Sequence, residues 1–300
     1  MINRRPYALS TMWGIKRFSD LVPFFNGGSK AGFAAFELNH GVDSSMLKGL
    51  EGRHIQSVHE PCPADISTST LKQNDWLISS LSEENRRQGI LAVKRSIEFA
   101  ASLGVKAVVV HPGRIDSACD TEAEMRDLYD AGKRYSAEYQ ELLSRNQRSR
   151  AEAAESNLAQ VEKSLDELGA FAAARGISLG LENRYHYHEI PSPQELDRLL
   201  KRDATGALGF WYDVGHAETL DRLGFFPHAD WFEYSHLIIG AHFHDLRGVD
   251  DHRYAGDGDL DWNKIVGKIP HDALRTCEFR NSCTVRELAQ GKYFLQNLGL

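Results

Sequence analysis

The chain is 300 residues long, with 35 Lys and Arg against 42 Asp and Glu and a formal charge of −7. A composition 42% hydrophobic and 26% charged excludes an intrinsically disordered chain, and no apolar run approaches the roughly 18 residues of a membrane helix. The acidic balance makes the chain a poor default partner for nucleic acid.

Short apolar runs alternate with helical patterns along the whole chain. Strands are predicted at Tyr7–Trp13, Phe33–Leu38, His54–His59, Ala107–His111, Ser178–Glu182, Leu208–Asp213, Ile238–His244 and Leu274–Glu278. The run VKAVVVH is apolar throughout, as in a parallel strand covered on both faces. Ser79–Arg87 places Ser, Glu and Asn ahead of the periodic run Ile90–Leu103, an N-cap pattern. Pro193–Leu200 has a further helical period. Glu122 to Arg175 is oversized: it has no proline, has glycine only at positions 132 and 169, and is rich in helix formers. Two helices or one bent helix are expected there. Leu158, Val161, Leu165, Leu168 and Phe171 form an amphipathic stripe that packs on the body of the protein, a homo-oligomer contact being the alternative. Asn146–Glu155 reads as a solvated face or a junction. Eight β/α alternations without a change of composition predict an α/β fold, a single (β/α)8 TIM barrel over residues 1–300, with an extended helical segment between strands 4 and 5.

Such barrels carry their reactive groups at the carboxyl ends of the strands. Strand two ends in Glu37-Leu38-Asn39-His40, strand three in His59-Glu60-Pro61, strand four in His111-Pro112-Gly113 and strand five in Glu182-Asn183-Arg184. Strand six ends in Asp213-Val214-Gly215-His216, strand seven in His242-Phe243-His244-Asp245 and strand eight in Glu278. The chain has 13 histidines, and a random scatter would not place them so. Imidazole and carboxylate together suit Zn, Mn, Fe or Co, where Ca would take oxygen alone.

Strand phase agrees. In HIQSVHE, Ile55, Ser57 and His59 share one face. In AHFHD, His242 and His244 point the same way, one as a ligand and the other to hold it or touch substrate. In the loop GVDDHRYAGDGDLDW, Asp250 and His252 lie two residues apart and can share one ion in an extended loop. Asp257 and Asp259 read as turn and cap residues, and Trp211 and Tyr212 as packing. Glu37 is either a substrate contact or a residue that orients a neighbour. The cysteines Cys62, Cys119, Cys277 and Cys283 form no CxxC pair, which fits a reducing cytosol. The opening MINRRPYALS lacks the apolar core of a secretory signal, so a cytoplasmic location is expected.

VVVHPG, LENRY, WYDVGHA, HFHD followed by DDHRYAGDGDLDW, and TCEF together resemble the xylose-isomerase-like TIM barrels. That superfamily joins sugar isomerases and epimerases with endonuclease-IV-like abasic-site nucleases. For its single-metal epimerases, the resemblance implies Glu182, Asp213, His242 and Glu278 as ligands. Glu182 and Glu278 would also be the acid/base pair, and His216 would contact a substrate oxygen. For the three-zinc nucleases it implies nine ligands: His59, His111, Glu182, Asp213, His216, His242, Asp250, His252 and Glu278.

The loops EPCPADISTST and NHGVDSS carry no Lys, Arg or aromatic residue, whereas a nuclease of this type must track phosphates and wedge a duplex. Arg184, within ENRYHYHE, and Arg253, Arg280 and His244 are the expected substrate contacts, with Arg114 at the same mouth. For ENRYHYHE, plain loop packing is the alternative. The expectation is therefore a divalent-metal-dependent sugar or sugar-phosphate isomerase or epimerase, working through an enediolate on a small carbohydrate with one to three Zn or Mn ions. The alternative is a trinuclear-zinc phosphodiesterase acting on abasic DNA.

Overall fold

The computed structural model describes residues 5–117 and 119–300. Its strands are β1 (Tyr7–Ser10), β2 (Ala35–Leu38), β3 (Ile55–His59), β4 (Ala107–Val110), β5 (Ser178–Glu182), β6 (Leu208–Asp213), β7 (Ile238–Phe243), β8 (Asp245–Arg247), β9 (Asp250–Arg253) and β10 (Leu274–Cys277). Its helices are α1 (Leu21–Lys30), α2 (Thr68–Gln73), α3 (Glu83–Ser102), α4 (Glu122–Asp130), α5 (Ala137–Ala173), α6 (Pro193–Lys201), α7 (Val214–Leu223) and α8 (Val285–Leu298). The eight strands β1–β7 and β10 close a barrel, and every pairing between them is parallel. β8 and β9 form a separate antiparallel hairpin after β7. The eight barrel strands are the eight predicted from the sequence.

The barrel interior is built in layers. Ala107, Val109, Trp211 and Leu274 form a closed apolar plug. Trp211 fills it because Gly180 and Gly240 face it without side chains: a Cβ at Gly240 would lie 2.2 Å from the indole. One step toward the carboxyl ends the lining turns polar. Ser57 donates to Glu37 at 2.7 Å, and Thr276 donates to Glu37 at 3.3 Å. The period of two that buries Trp211 therefore also aims Asp213 into the mouth. The same alternation carries Val109 to His111 and Gly240 to His242.

Local sequence explains the helix starts. Ser82 caps α3 as expected, and Ser192 with Glu195 forms a capping box on α6. The oversized segment is two helices, with α5 running 37 residues. Leu158, Val161, Leu165 and Leu168 are buried in the main core, with Phe171 half-buried beside them, so the stripe packs on the barrel against α3 and β5. Asn146–Glu155 is neither a junction nor simply a solvated face. It lies inside α5, and Asn146 and Arg150 are buried. Arg150 grips Glu195 of α6 through two hydrogen bonds at 2.7 and 2.8 Å and donates to the carbonyls of Tyr187 and Glu189. A second apolar cluster, including Met125, Tyr139, Tyr187 and Phe225, joins α4 and the start of α5 to the barrel mouth. Among the described residues, no helix is long and apolar enough to cross a membrane.

Candidate metal centre

Four carboxylates, Glu37, Glu182, Asp213 and Glu278, are buried at the mouth with the imidazoles of His59 and His242. Nδ1 of His242 faces Glu182 Oε1 at 2.6 Å, Glu278 Oε2 at 3.3 Å and Asp213 Oδ2 at 3.6 Å. Its other nitrogen, Nε2, meets Glu37 at 3.0 Å. Glu37 is thus the residue that orients His242, the second of the two roles open to it from sequence. Glu182, Asp213, His242 and Glu278 form one group of mutually close ligand atoms. A second group overlaps it, sharing His242 and Glu278 and adding Glu37 and His59, and two more groups adjoin the pair. His59, His111 and Glu182 form one, with His111 Nε2 3.0 Å from Glu182. His216, His244, Asp251 and His252 form the other, joined to Asp213 by His244 Nε2 at 2.9 Å.

The chemistry of this donor set fits a divalent metal. Asp213 Oδ2 and His59 Nδ1 are buried without hydrogen-bond partners. Nitrogen and carboxylate oxygen are the donors that Zn and Mn take. So much buried negative charge needs a cation beyond Arg184, whose guanidinium meets Glu182 Oε2. Burial opposes ionisation of Glu182, but Arg184, His111 and His242 outweigh it and hold the carboxyl well below its usual range. Asp213 is likewise held down, against burial, by His216, His244 and His242. Burial also opposes the charged form of His242, yet Glu278 and Glu37 raise it well above the ordinary imidazole value. His59 moves the other way, lowered by burial and by His111. His40, expected only as part of a strand end, stands edge-on to His59 with ring centroids 5.6 Å apart. Burial, then His111, lowers it to about 4.

The loop after β7 is organised by Asp245. Its carboxylate accepts from the backbone of Leu246, Gly256 and Leu260 and from the Trp262 indole at 2.9 Å. This cradle explains DDHRYAGDGDLDW. A Cβ at Gly258 would lie 2.1 Å from Asp245 Oδ1. One residue departs from expectation. Asp250 lies outside the ligand groups, with its carboxylate 58% exposed and paired to Arg253 and Arg280. Asp251 takes its place, its Oδ2 2.9 Å from His252 Nδ1. The reason is the left-handed backbone of His252, φ 55°, which breaks the alternation that would align positions 250 and 252. Nothing in the residue pattern announces that conformation. His244, expected at the substrate, lies within the group of His216, Asp251 and His252 and stacks on His252 with the rings 4.2 Å apart.

The expected cationic contacts already hold carboxylates. Arg184 meets Glu182 and lies 3.6 Å from Glu189, Arg253 bridges Asp250 and Asp257, and Arg280 meets Asp250. ENRYHYHE is largely loop packing. Tyr187 stacks on Phe225 at 3.9 Å, and His186 Nδ1 meets Glu122 at 2.9 Å. Asp257 and Asp259, read as turn and cap residues, lie in the loop but pair with Arg253 and Arg222, while Asp261 caps a short 3-10 helix.

Residues 28–290 match the family model described as "Xylose isomerase-like TIM barrel". The chain belongs to that family. Two curated relatives are uncharacterised. One, MJ1311 of Methanocaldococcus jannaschii, is 25% identical over 227 residues, covering 73% of this chain and 64% of the relative. The other, y4fM of Sinorhizobium fredii, is 26% identical over 220 residues, covering 72% and 57%. The matches therefore span less than two thirds of those relatives' length. Among solved structures, this barrel superposes on a D-tagatose 3-epimerase-like protein with a TM-score of 0.67 at 20% identity, covering 98% of this chain and 97% of the other. It superposes on a zinc-bound IOLI protein with a TM-score of 0.65 at 14% identity, covering 98% of each. The 3-keto-D-glucoside 4-epimerase of E. coli gives 0.61 at 14% identity, covering 98% and 100%. At these identities the likeness is one of fold.

Proposed function

We propose that the protein is a divalent-metal-dependent isomerase or epimerase of a small keto sugar or sugar phosphate. One observation carries this reading: Glu182 of β5 and Glu278, just beyond β10, approach the same Nδ1 of His242 from different strands, with Asp213 between them in sequence and in the barrel. The superposed sugar epimerases support it.

Glu182, Asp213, His242 and Glu278 would hold a divalent ion, which supplies Lewis-acid polarisation of a carbonyl and acidifies the neighbouring C–H. The protein's own part is to keep two carboxylates ionised in a buried site. Arg184 and His111 do this for Glu182, and His242 and His252 do it for Glu278. One glutamate takes the proton from the carbon beside the carbonyl, leaving the substrate as an enediolate. The other, having first taken up a proton from water, delivers it to the opposite face, and the first then releases its proton to water. His216, buried between Tyr185 and His252, would contact a substrate oxygen. The test is exchange of substrate hydrogen in deuterated water across keto sugars and their phosphates. Glu182→Gln and Glu278→Gln should each abolish exchange with an unchanged circular dichroism spectrum. Full exchange in either variant overturns the assignment.

Ligand groups that extend beyond the donors of one ion favour a second reading, a trinuclear-zinc phosphodiesterase acting on abasic DNA. Metal content of protein purified without chelator separates the two. Close to one ion per chain supports the isomerase. Close to three, falling when His59, His111 and His252 are each replaced by Ala, supports the phosphodiesterase.

A further inference from the structure

The closed order of the strands puts β2 and β6 on opposite sides of the barrel, with β10 on one flank of that diameter and β5 on the other. Asp213 ends β6 and His216 follows it, while Glu182 ends β5 and Glu278 lies just past β10. A molecule held at the ion and lying along the diameter therefore shows one face to Glu182 and the other to Glu278. One of its ends is at His216. The other meets the end of β2, where two consecutive residues carry buried polar atoms that have no partner among the described residues. Asn39 is 0% exposed. Its Oδ1 accepts from Thr11 Oγ1 at 2.9 Å and from the backbone N–H of Gly41 at 3.0 Å. A backbone N–H can only donate, so the amide is fixed with its oxygen on Gly41, and Nδ2 is left unpartnered. His40 Nδ1 is unpartnered as well. Its ring borders the metal centre, edge-on to His59 and His111 with centroids 5.6 and 6.3 Å away. Buried polar atoms are normally satisfied, as those of neighbouring Glu37 are by Ser57, Thr276 and His242. His40 belongs to none of the groups of mutually close ligand atoms, and an amide N–H cannot ligate a cation. An amide donor beside an imidazole nitrogen instead matches hydroxyl groups, which both accept and donate.

We propose that Asn39 and His40 bind hydroxyls on the substrate chain beyond its reacting carbons, so that the substrate lies along the diameter from β6 to β2. The substrate class is then an open-chain ketose whose hydroxylated chain continues past the reacting pair, rather than a three-carbon keto sugar or one deoxygenated at that end. This deepens the sugar-isomerase reading and rests on it for the presence of a keto sugar at the ion.

The experiment uses zinc-loaded protein with dihydroxyacetone, erythrulose, ribulose and xylulose as probes, titrated by calorimetry or ligand-observed NMR. All four present a carbonyl beside a hydroxyl to the ion, and they differ in how far the hydroxylated chain extends. The tighter of the two five-carbon ketoses should bind about tenfold or more tightly than dihydroxyacetone, the worth of one or two satisfied hydrogen bonds. His40→Phe and Asn39→Asp should each cut that ratio about threefold or more at constant zinc content. The first keeps a ring without its nitrogens, and the second keeps the oxygen held by Thr11 and Gly41 but removes the free N–H. Equal affinity across the four probes overturns the proposal without any variant having to fold. A ratio that survives both substitutions also overturns it, since the longer chain would then bind elsewhere in the mouth. Hydrogen exchange in deuterated water, followed on the same four probes, lets the two readings fail separately. Exchange with equal affinities retains the isomerase and removes the subsite. Affinities that rise with chain length and depend on His40, without exchange on any probe, retain the subsite and remove the isomerase. No binding by any of the four removes both.

Discussion

Glu37 and His242 are joined across the barrel interior, with Nε2 of the imidazole 3.0 Å from the carboxylate. A carboxylate can only accept, so Nε2 carries the hydrogen. Nδ1 faces Glu182 at 2.6 Å and carries a hydrogen by the same argument; an ion among Glu182, Asp213 and Glu278 would displace that proton and take the Nδ1 lone pair, leaving Nε2–H on Glu37. Glu37→Gln should preserve the fold and weaken metal binding by about 10–100-fold, the usual cost of losing such a partner. Competition against a chromophoric chelator reads this directly. Unchanged affinity would mean that His242 is not a ligand.

Gly215 lies beneath His244. A Cβ there would sit 2.0 Å from the imidazole, so the ring must move. Gly215→Ala should displace His244 from Asp213 and lower stability by about 1–3 kcal/mol, the cost of overpacking. Metal content should fall with it. Urea denaturation and elemental analysis check the two effects together.

Arg150 and Glu195 are both buried, and their paired hydrogen bonds tie α5 to α6. Removing one partner leaves the other charge buried and alone. Arg150→Met and Glu195→Leu should each cost about 3–5 kcal/mol, and the double replacement less than their sum. Additive losses in a denaturation cycle would show that the two side chains do not couple.

Glu218 bonds His228 at 2.7 Å and Arg222 at 2.9 Å. Burial opposes its ionisation, but these partners bring its carboxyl down to about 2 from an ordinary 4.5. A depressed carboxyl stabilises the folded state above its unfolded value, and that contribution disappears as the pH falls toward the folded one. Wild-type protein should therefore lose on the order of 3 kcal/mol more than Glu218→Gln as the pH drops through this window. Parallel acid limbs in thermal melts of the two proteins would refute the assignment.

Much of this arrangement is legible in the residues. All eight barrel strands are readable because their β-branched and apolar runs sit between glycine, proline and capping residues. The positions of Glu182, Asp213, His242 and Glu278 follow from where those strands end. Asp251 was not readable in place of Asp250, because the choice rests on one left-handed residue, His252. Nor was Arg150, which lies in a run as polar as any solvated helix face and is buried only because α6 supplies Glu195.

Sequence alone determined the order of strands, the face that each presents and the chemical type of every group at the mouth, since these depend on period and residue identity. Tertiary structure alone decided which nitrogen of His242 faces which carboxylate and which arginines are already paired. Those outcomes depend on side chains far apart in the chain meeting across a closed barrel, and no local pattern encodes such distances.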